Sequence, residues 1–368
     1  MSDAQSGNGP SRCGIGLVSP ASGAENVARR GQPQLKRGAA EKMNKKLEFV
    51  GLGEALIDIF EDGTAFLGGA PLNVAVHAHH LLEPLQLGEG IVVSAVGDDK
   101  WGAHARAVLA ENSLTTEYIA TDAHPTGTAS VFVRNGEPGF EITQDVAWDY
   151  MRCNAERDAL AERCDAVCFG SLAQRSQVSR ETIRDFLRRA KNAWRLYDVN
   201  LRRSTLSGSC GYSREIVEAS CRLSSAMKAN ESEMMELGEM FGMRLTDTGE
   251  ESILARMRFF LDEFGLEAVV VTRAERGAMV LTRDEMIVMP PAEGAGEEVH
   301  AVGAGDAFSA GILFGRSQGW PWRTTLELAA KMGSWVTRHV SAIPRLSPEI
   351  IEFARNQTNQ LSRERGLR

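Results

Sequence analysis

A glycine-rich turn followed by a carboxylate is the segment of this chain that is best suited to chemistry. It reads Gly303-Ala304-Gly305-Asp306, and the apolar run that begins at Ala307 predicts a helix directly after it. Small residues leave backbone N–H groups uncovered, and a helix N-terminus favours negative charge, so the turn can bind an anion. A carboxylate beside a bound phosphate suits phosphoryl transfer to a hydroxyl, which needs donors for the developing charge and a base for the proton.

The same turn also fits an ordinary helix start, with glycine for the turn and Asp306 as the cap. Spacing alone does not decide between this interpretation and an anion site. The chain has no GxxxxGK[ST] pattern, which argues against a P-loop enzyme.

The elements that must hold this turn alternate between strands and helices. Short apolar runs predict buried strands at 47–52, 91–96, 166–170, 196–199 and 268–272. Segments between them predict helices at 74–82, 101–109, 180–190 and 253–264. This alternation predicts an α/β fold, in which helices cover both faces of a mostly parallel sheet.

One region interrupts the alternation and predicts a small β lid. Two β-rich runs in 128–143 flank Asn135-Gly136, a strong hairpin turn signal, and 56–66 can add another strand. We therefore expect a lid built from about 56–66 and 115–146, over the strand ends where open α/β sheets bind ligands. An open lid edge also makes a homodimer through the lid possible.

Composition and charge narrow the class of protein. The 368 residues carry a net charge of −8 and no basic domain, which excludes a nucleic-acid binder and favours a small-molecule partner. No apolar run is long enough to predict a membrane span. The six cysteines are sparse and form neither a disulfide framework nor a zinc pattern, so we expect reduced thiols and a cytoplasmic location.

The chain ends differ in composition from its centre. Residues 1–46 are rich in Gly, Ser, Ala and Gln with mostly basic charge, which predicts a disordered extension. A transit peptide and a mis-assigned start with translation from Met43 remain alternatives. We predict one catalytic domain over 47–357 and a C-terminal tail over 358–368.

Several segments, in chain order, resemble the ribokinase-like (PfkB) family of carbohydrate kinases. The anion turn at 299–308 resembles the family's second signature, and the resemblance covers roughly 47–357. The other matching segments are GLGEALID at 51–58, GGAPLNVA at 68–75, YDVNLR at 197–202, KANESE at 228–233 and VVVT at 269–272. The resemblance implies a ribokinase-like three-layer α/β/α domain and an ATP-dependent phosphotransferase that acts on an alcohol group.

The resemblance also implies a role for each matching residue. Asp306 would deprotonate the sugar hydroxyl, and the amides of Gly303, Ala304 and Gly305 would hold the transferring phosphoryl group. The residues implied in sugar binding are Asp58, Gly68, Gly69, Asn73, Asn200 and Arg202. The residues implied in nucleotide binding are Lys228, Asn230, Glu233, Thr272 and Gly277, with Asn230 and Glu233 organising Mg²⁺ through water.

Three departures from the family pattern affect these expectations. His300-Ala301 replaces the usual Asp-Thr, whose Asp commonly helps to bind a monovalent cation, so K⁺ activation is in doubt. Ser341 replaces a glycine in the same neighbourhood, before Pro344. Arg273-Ala274 follows Thr272 where a glycine is common, which predicts a reshaped adenine pocket.

The motifs leave the substrate open. The D-V-N-L-R stretch favours fructose phosphorylated on a terminal hydroxyl. A 2-keto-3-deoxygluconate kinase is the close alternative, because Arg134 or Arg202 could bind its carboxylate. A sugar sensor that has lost turnover is a third hypothesis, motivated by His300-Ala301. The histidines at 77, 79 and 80 suggest a metal site. We instead predict that they lie on a surface helix, because no carboxylate or Cys partner is evident nearby.

Overall fold

Five ranges of the chain are described by the structure, which is a computed structural model: 45–134, 137–202, 211–243, 249–292 and 302–364. Residues 46 onward belong to one compact unit. Several sequence predictions lie outside these ranges, namely most of the extension at 1–46, the Asn135-Gly136 turn and the His300-Ala301 departure. The side chain of Arg134 is also outside the described part of the chain.

The strands are short and mostly apolar, as the sequence predicts. In chain order they are β1 (Leu47–Leu52), β2 (Leu56–Phe60), β3 (Ala65–Gly68), β4 (Gly88–Gly97), β5 (Ile119–Asp122), β6 (Gly127–Arg134), β7 (Glu137–Ile142), β8 (Ala166–Phe169), β9 (Trp194–Asp198), β10 (Ala226–Asn230), β11 (Ala268–Thr272), β12 (Ala278–Thr282) and β13 (Met286–Met289). All five strands predicted for the main sheet are confirmed.

Helices follow most of the strands. They are α1 (Ala70–Leu82), α2 (Lys100–Glu111), α3 (Ala155–Arg163), α4 (Gln177–Arg189), α5 (Arg214–Arg222), α6 (Glu231–Met240), α7 (Glu250–Phe264), α8 (Ala304–Ser317), α9 (Trp322–Val336) and α10 (Pro348–Glu364). The four predicted helices correspond to α1, α2, α4 and α7. Within the described residues, no helix is long and apolar enough to cross a membrane.

Two sheets organise these elements. The main sheet has the order β13-β12-β11-β10-β9-β8-β1-β4-β5, and every neighbouring pair from β11 to β5 is parallel. The strands β12 and β13 continue it with antiparallel pairings at one edge. The small sheet has the order β3-β2-β6-β7, with β2 and β6 parallel and the other pairs antiparallel.

Both faces of the main sheet are buried, which explains the continuous apolar runs. In β11, Val269 and Val271 pack into one core with helices α3 to α7, whereas Ala268 and Val270 pack into another with α1, α8, α9 and α10. Alternate side chains of a strand point to opposite faces, so a strand covered on both sides must be apolar at every position. The result is the predicted α/β fold with helices on both faces.

The predicted lid boundaries need correction. Residues 119–122 form β5, which pairs in parallel with β4 at the edge of the main sheet, so this part of 115–146 is not lid. The stretch 56–66 forms two strands rather than one, because the chain reverses at 61–64 and β3 returns antiparallel to β2 as far as Gly68. The lid sheet therefore consists of β2, β3, β6 and β7.

The C-terminal boundary is also corrected. The tail predicted at 358–368 is helical through Glu364, because α10 continues without a break across residue 357. Ile350 and Ala354 on its first turns are buried against the α8–α9 side of the domain. The polar residues after 357 continue this helix along the surface rather than ending it.

The histidines of α1 are buried, so the prediction of a surface helix is wrong. His77, His79 and His80 are at most 4% exposed, as α1 is covered by the sheet on one side and by α8 on the other. Within the described residues, no group of three His, Cys, Asp or Glu side chains is placed to hold a metal ion. The histidines instead bond to protein groups, including the carbonyl oxygen of Ala342 and the side chain of Asn112.

Candidate active site

The anion turn lies at the N-terminus of α8, as predicted from the sequence. Gly303 has a left-handed backbone with φ of 84°, and a Cβ there would lie 2.7 Å from the carbonyl oxygen of Ala342. Only glycine adopts this conformation in this space without strain. The amides of Asp306 and Ala307 both donate to the Gly303 oxygen. The amides that precede them begin the helix, where backbone N–H groups have no intrahelical acceptor.

Asp306 is half-buried in the first turn of α8 and accepts a hydrogen bond from α1. Its Oδ2 accepts a hydrogen bond of 2.8 Å from Nδ2 of Asn73. The pKa of Asp306 is raised to about 7, first by burial and then by the negative charge of Asp198, while Asn73, Lys228 and Arg202 act in the opposite direction. The carboxyl group therefore changes protonation state near neutral pH, which suits a general base.

A buried ion pair lies directly beneath the turn. Nζ of Lys228 is 3.0 and 2.9 Å from the two carboxylate oxygens of Asp198, and Ser309 donates to Oδ2 of Asp198 at 2.7 Å. The same Nζ would be 3.1 Å from a Cβ at Gly305. Burial opposes the charge on Lys228, but Asp198 outweighs it and raises the pKa of the ammonium group. The ammonium group of Lys228 thus places a positive charge next to Gly305 of the turn, where its hydrogen bonds to Asp198 hold it.

Asp198 and Ser309 are site residues that the sequence analysis missed. Asp198 ends β9 and pairs in register with Lys228 on the parallel strand β10. Two opposite charges at matching positions of neighbouring apolar strands are the signal that could have identified this pair. Ser309 carries no comparable signal, because it reaches Asp198 only through the packing of α8 on the sheet.

The sugar-binding prediction concerns residues between the lid and α1. Asp58 lies on β2, and its Oδ2 would be 2.3 Å from a Cβ at Gly68, so the glycine makes room for the carboxylate. Burial raises the pKa of Asp58 to about 6, and the charge of Arg202 opposes this rise. Gly69 precedes α1, and Asn73 lies in its first turn. The predicted sugar residues of the lid and of α1 therefore lie next to one another in the fold.

Glu54 is a buried carboxyl group that the sequence analysis did not predict as a site residue. It follows β1 and is 2% exposed, and among the described residues its Oε2 has no hydrogen-bond partner. Burial raises the pKa of Glu54 to about 7, and the charge of Asp306 contributes to the rise. A charged Asp306 therefore disfavours the charged form of Glu54.

Arg202 affects the charge of the site. Its positive charge opposes the rise in the pKa of Glu54, Asp58 and Asp306. The side chain of Arg202 is exposed. Two residues before it, Asn200 has a positive φ of 40°. This left-handed backbone at Asn200 bends the chain directly after β9.

Asn230 and Glu233 form the start of α6 at the end of β10. Oδ1 of Asn230 accepts from the Glu233 amide at 2.8 Å, and Oε2 of Glu233 accepts from the Asn230 amide at 2.8 Å. Oε1 of Glu233 accepts from the amide of Leu201 at 2.9 Å. Each carboxylate oxygen keeps a second lone pair, so this capping box also fits a hydrated Mg²⁺ that is held through water rather than directly.

The predicted nucleotide residues Thr272 and Gly277 lie on neighbouring elements. Thr272 ends β11 beside Asn230 of β10. Gly277 has φ of 80°, and a Cβ there would be 2.0 Å from the carbonyl oxygen of Met289. Between them, Ala274 has a positive φ of 49°, in line with the glycine that is common in the family at this departure.

Arg273 fills part of the space beside Ala274. Its guanidinium is buried and donates to Glu250 at 2.9 Å and to the carbonyl oxygen of Arg276 at 3.1 Å. The Arg273-Ala274 departure therefore places a buried, hydrogen-bonded arginine directly after Thr272.

The sequence matches a known family of enzymes. The family model for pfkB family carbohydrate kinases matches residues 49–349, so the chain belongs to this family. It is 28% identical to a fructokinase of Klebsiella pneumoniae, over 72% of this chain and 82% of that protein. It is 27% identical to an ATP-dependent 6-phosphofructokinase of Thermoanaerobacterium thermosaccharolyticum, over 83% and 92% respectively.

A solved structure supports the fold. A fructokinase of Xylella fastidiosa with bound ATP superposes with a TM-score of 0.69 and 21% identity, and the match covers 88% of this chain and all of that one. Together with the family match, this identifies the chain as a sugar kinase with a ribokinase-like fold, a phosphotransferase with an alcohol acceptor. The predicted family is therefore confirmed.

Proposed function

We propose that the protein transfers the γ-phosphoryl group of MgATP to a terminal hydroxyl of fructose, with Asp306 as the general base. The observation that carries this proposal is the half-buried Asp306, which lies at the anion turn, accepts a hydrogen bond from Asn73 and has its pKa raised to about 7. A base needs a pKa near the working pH to accept a proton in the transition state and release it afterwards.

The reaction divides its tasks between the two sides of the turn. The sugar hydroxyl oxygen attacks the γ-phosphorus, its proton moves to a carboxylate oxygen of Asp306, and the bond from the γ-phosphorus to the bridging oxygen of ADP breaks. The amides of Gly303, Ala304 and Gly305 and the charge of Lys228 beneath them stabilise the negative charge on the transferring group. Asp58, Asn73, Asn200 and Arg202 orient the sugar in this proposal.

Mg²⁺ would be held through water by Asn230 and Glu233 at the start of α6. A bound Mg²⁺ supplies charge neutralisation on the phosphates of ATP. Glu233 also accepts a hydrogen bond from the amide of Leu201, which ties the start of α6 to the segment that follows β9.

The choice of fructose rests on the D-V-N-L-R stretch and on relatives named fructokinase. The alternative substrate, 2-keto-3-deoxygluconate, is motivated by the exposed Arg202, whose guanidinium could pair with the carboxylate of a sugar acid. The test is kcat/KM for both compounds with saturating MgATP. We expect fructose to be preferred by about tenfold or more. Preference for the sugar acid, reversed by Arg202→Met, would replace fructose with the alternative.

The pH dependence of kcat/KM follows from the raised pKa of Asp306. The group accepts a proton only when ionised, so kcat/KM should fall as the pH drops below about 7 and reach a plateau above it. Initial rates of ADP release between pH 5.5 and 9 measure this, roughly the range over which the group titrates. Glu54 and Asp58 titrate in the same range, so the residual activity of Asp306→Asn is the control. An unchanged break in that variant would assign the break to Glu54 or Asp58 instead of Asp306.

Monovalent-cation dependence is expected to be weak. His300-Ala301 lacks the anionic oxygen that commonly helps to bind such a cation in the family, and Ser341 alters the same neighbourhood. Exchanging Na⁺ for K⁺ at constant ionic strength should therefore leave the rate of ADP release nearly unchanged. A several-fold gain with K⁺ would contradict this expectation.

A further inference from the structure

Two side chains of α1 form hydrogen bonds with the region of the anion turn. Asn73 and His77 are four residues apart, so they lie on the same face of the helix. Asn73 bonds to Asp306, as described above, and Nε2 of His77 lies 2.9 Å from the carbonyl oxygen of Ala342. One helix face thus reaches both the proposed base and the segment that packs on the turn.

The bond from His77 has a defined direction. A carbonyl oxygen only accepts, so Nε2 of His77 must carry the hydrogen and Nδ1 must be bare. His77 is fully buried, and among the described residues its Nδ1 has no hydrogen-bond partner. Burial lowers the pKa of His77 to about 4, so the ring remains neutral at working pH. The bond to Ala342 is the one hydrogen bond that the structure shows for this buried ring.

The carbonyl group that accepts this bond lies against the first residue of the turn. A Cβ at Gly303 would be 2.7 Å from both the oxygen and the Cβ of Ala342. The Gly303 oxygen in turn accepts the amides of Asp306 and Ala307, which start α8. A shift of Ala342 would therefore displace Gly303 and, through it, the first turn that carries Asp306.

We propose that His77 is a positioning residue for phosphoryl transfer. Its hydrogen bond fixes the Ala342 carbonyl group, against which Gly303 packs, and this holds the anion turn in place relative to Asp306. His77 does not touch either substrate and acts only through Ala342. The proposal rests on the proposed function of the turn as the phosphoryl site, where small displacements of donors reduce the rate strongly.

The kinetic test compares two buried histidines of the same helix. His77→Phe keeps a ring and removes the donor, whereas His77→Gln keeps a donor. The matched control is His80→Phe, because His80 is also buried but bonds to Asn112 rather than to Ala342. We expect His77→Phe to lower kcat about tenfold with little change in KM for the sugar, and His77→Gln to recover part of the loss. His80→Phe should lower the melting temperature but leave kcat nearly unchanged.

A second measurement does not depend on the substrate. Hydrogen exchange at the amides of Asp306 and Ala307 reports the turn directly, because both donate to Gly303. Exchange there should be faster in His77→Phe than in wild type, and unchanged in His80→Phe. If His77→Phe does not fold, His77→Ala removes the same donor without a ring and is compared in the same way.

The two measurements separate failure of this inference from failure of the proposed function. Equal losses of kcat in His77→Phe and His80→Phe, or unchanged exchange at Asp306 and Ala307 in the His77 variant, would overturn the positioning function. If wild type releases no ADP with any sugar, the proposed function fails, and the exchange comparison still decides whether His77 holds the turn.

Discussion

Replacing Asp306 with asparagine is expected to lower kcat by about 10² to 10⁴, the usual loss when a general base is removed. Asparagine has nearly the same shape, and its side-chain oxygen can still accept the hydrogen bond from Asn73. It cannot take the proton of the sugar hydroxyl, so the chemical step is affected rather than the fold. Initial rates of ADP release at saturating MgATP and sugar measure the effect.

Two controls accompany this variant: a test of whether it still binds its ligands, and a substitution of an unrelated aspartate. Sugar and MgATP should raise the melting temperature of Asp306→Asn about as much as that of wild type, since binding stabilises the folded state. Asp185→Asn removes a carboxylate that is exposed on α4, and it should leave the rate unchanged. If Asp306→Asn keeps kcat within a factor of about ten, another group must accept the proton.

Replacing Lys228 with methionine is expected to reduce the free energy of unfolding by about 3–5 kcal/mol. The Lys228 side chain is 8% exposed and that of Asp198 4%, so the variant would leave a buried carboxylate without its counter-charge. Methionine fills a similar volume, which separates the electrostatic effect from loss of packing. Urea unfolding followed by fluorescence or circular dichroism measures the change.

The matched comparison is the double variant Asp198→Asn/Lys228→Met. It removes both charges, so much of the stability lost in Lys228→Met should return. Ser309→Ala removes the neighbouring hydrogen bond to Asp198 and should cost about 1–3 kcal/mol. A loss below about 1 kcal/mol in Lys228→Met would mean that the pair contributes no more than an exposed ion pair does.

The parallel sheet could be predicted from the sequence because its strands are buried on both faces. A strand such as 268–272 must then be apolar throughout, and the pattern is visible locally. The strand β5 could not be assigned in this way, because only Ile119 of its four residues is buried. Its place at the edge of the main sheet depends on which strand has a free edge, a long-range property.

The C-terminal helix shows a similar limit. Its first half carries the apolar residues that pack on the domain, and the polar residues after 357 resemble a tail in composition. They remain helical because the packed first half has already formed the helix, and adding residues to an existing helix is favourable. Local composition therefore ended the predicted domain too early.

The residues of the candidate site also differ in whether local sequence could predict them. The turn and Asp306 could be predicted because glycine and aspartate lie together in one local segment. Asp198 takes its place from the pairing of β9 with β10, and Ser309 reaches it across 111 residues of sequence. The burial of the α1 histidines could not be predicted locally, because the segment around Ala342, to which His77 bonds, is 265 residues away in the sequence.

Identification of the product by phosphorus-31 NMR tests the central claim most directly. Wild-type protein is incubated with MgATP and fructose, and the spectrum is followed until ATP is consumed. The account predicts a new phosphate monoester of the sugar in equal amount to ADP, with this product nearly absent in Asp306→Asn. Release of inorganic phosphate in place of a sugar phosphate, or no loss of ATP with any sugar tested, would contradict the transfer of the phosphoryl group to a sugar hydroxyl.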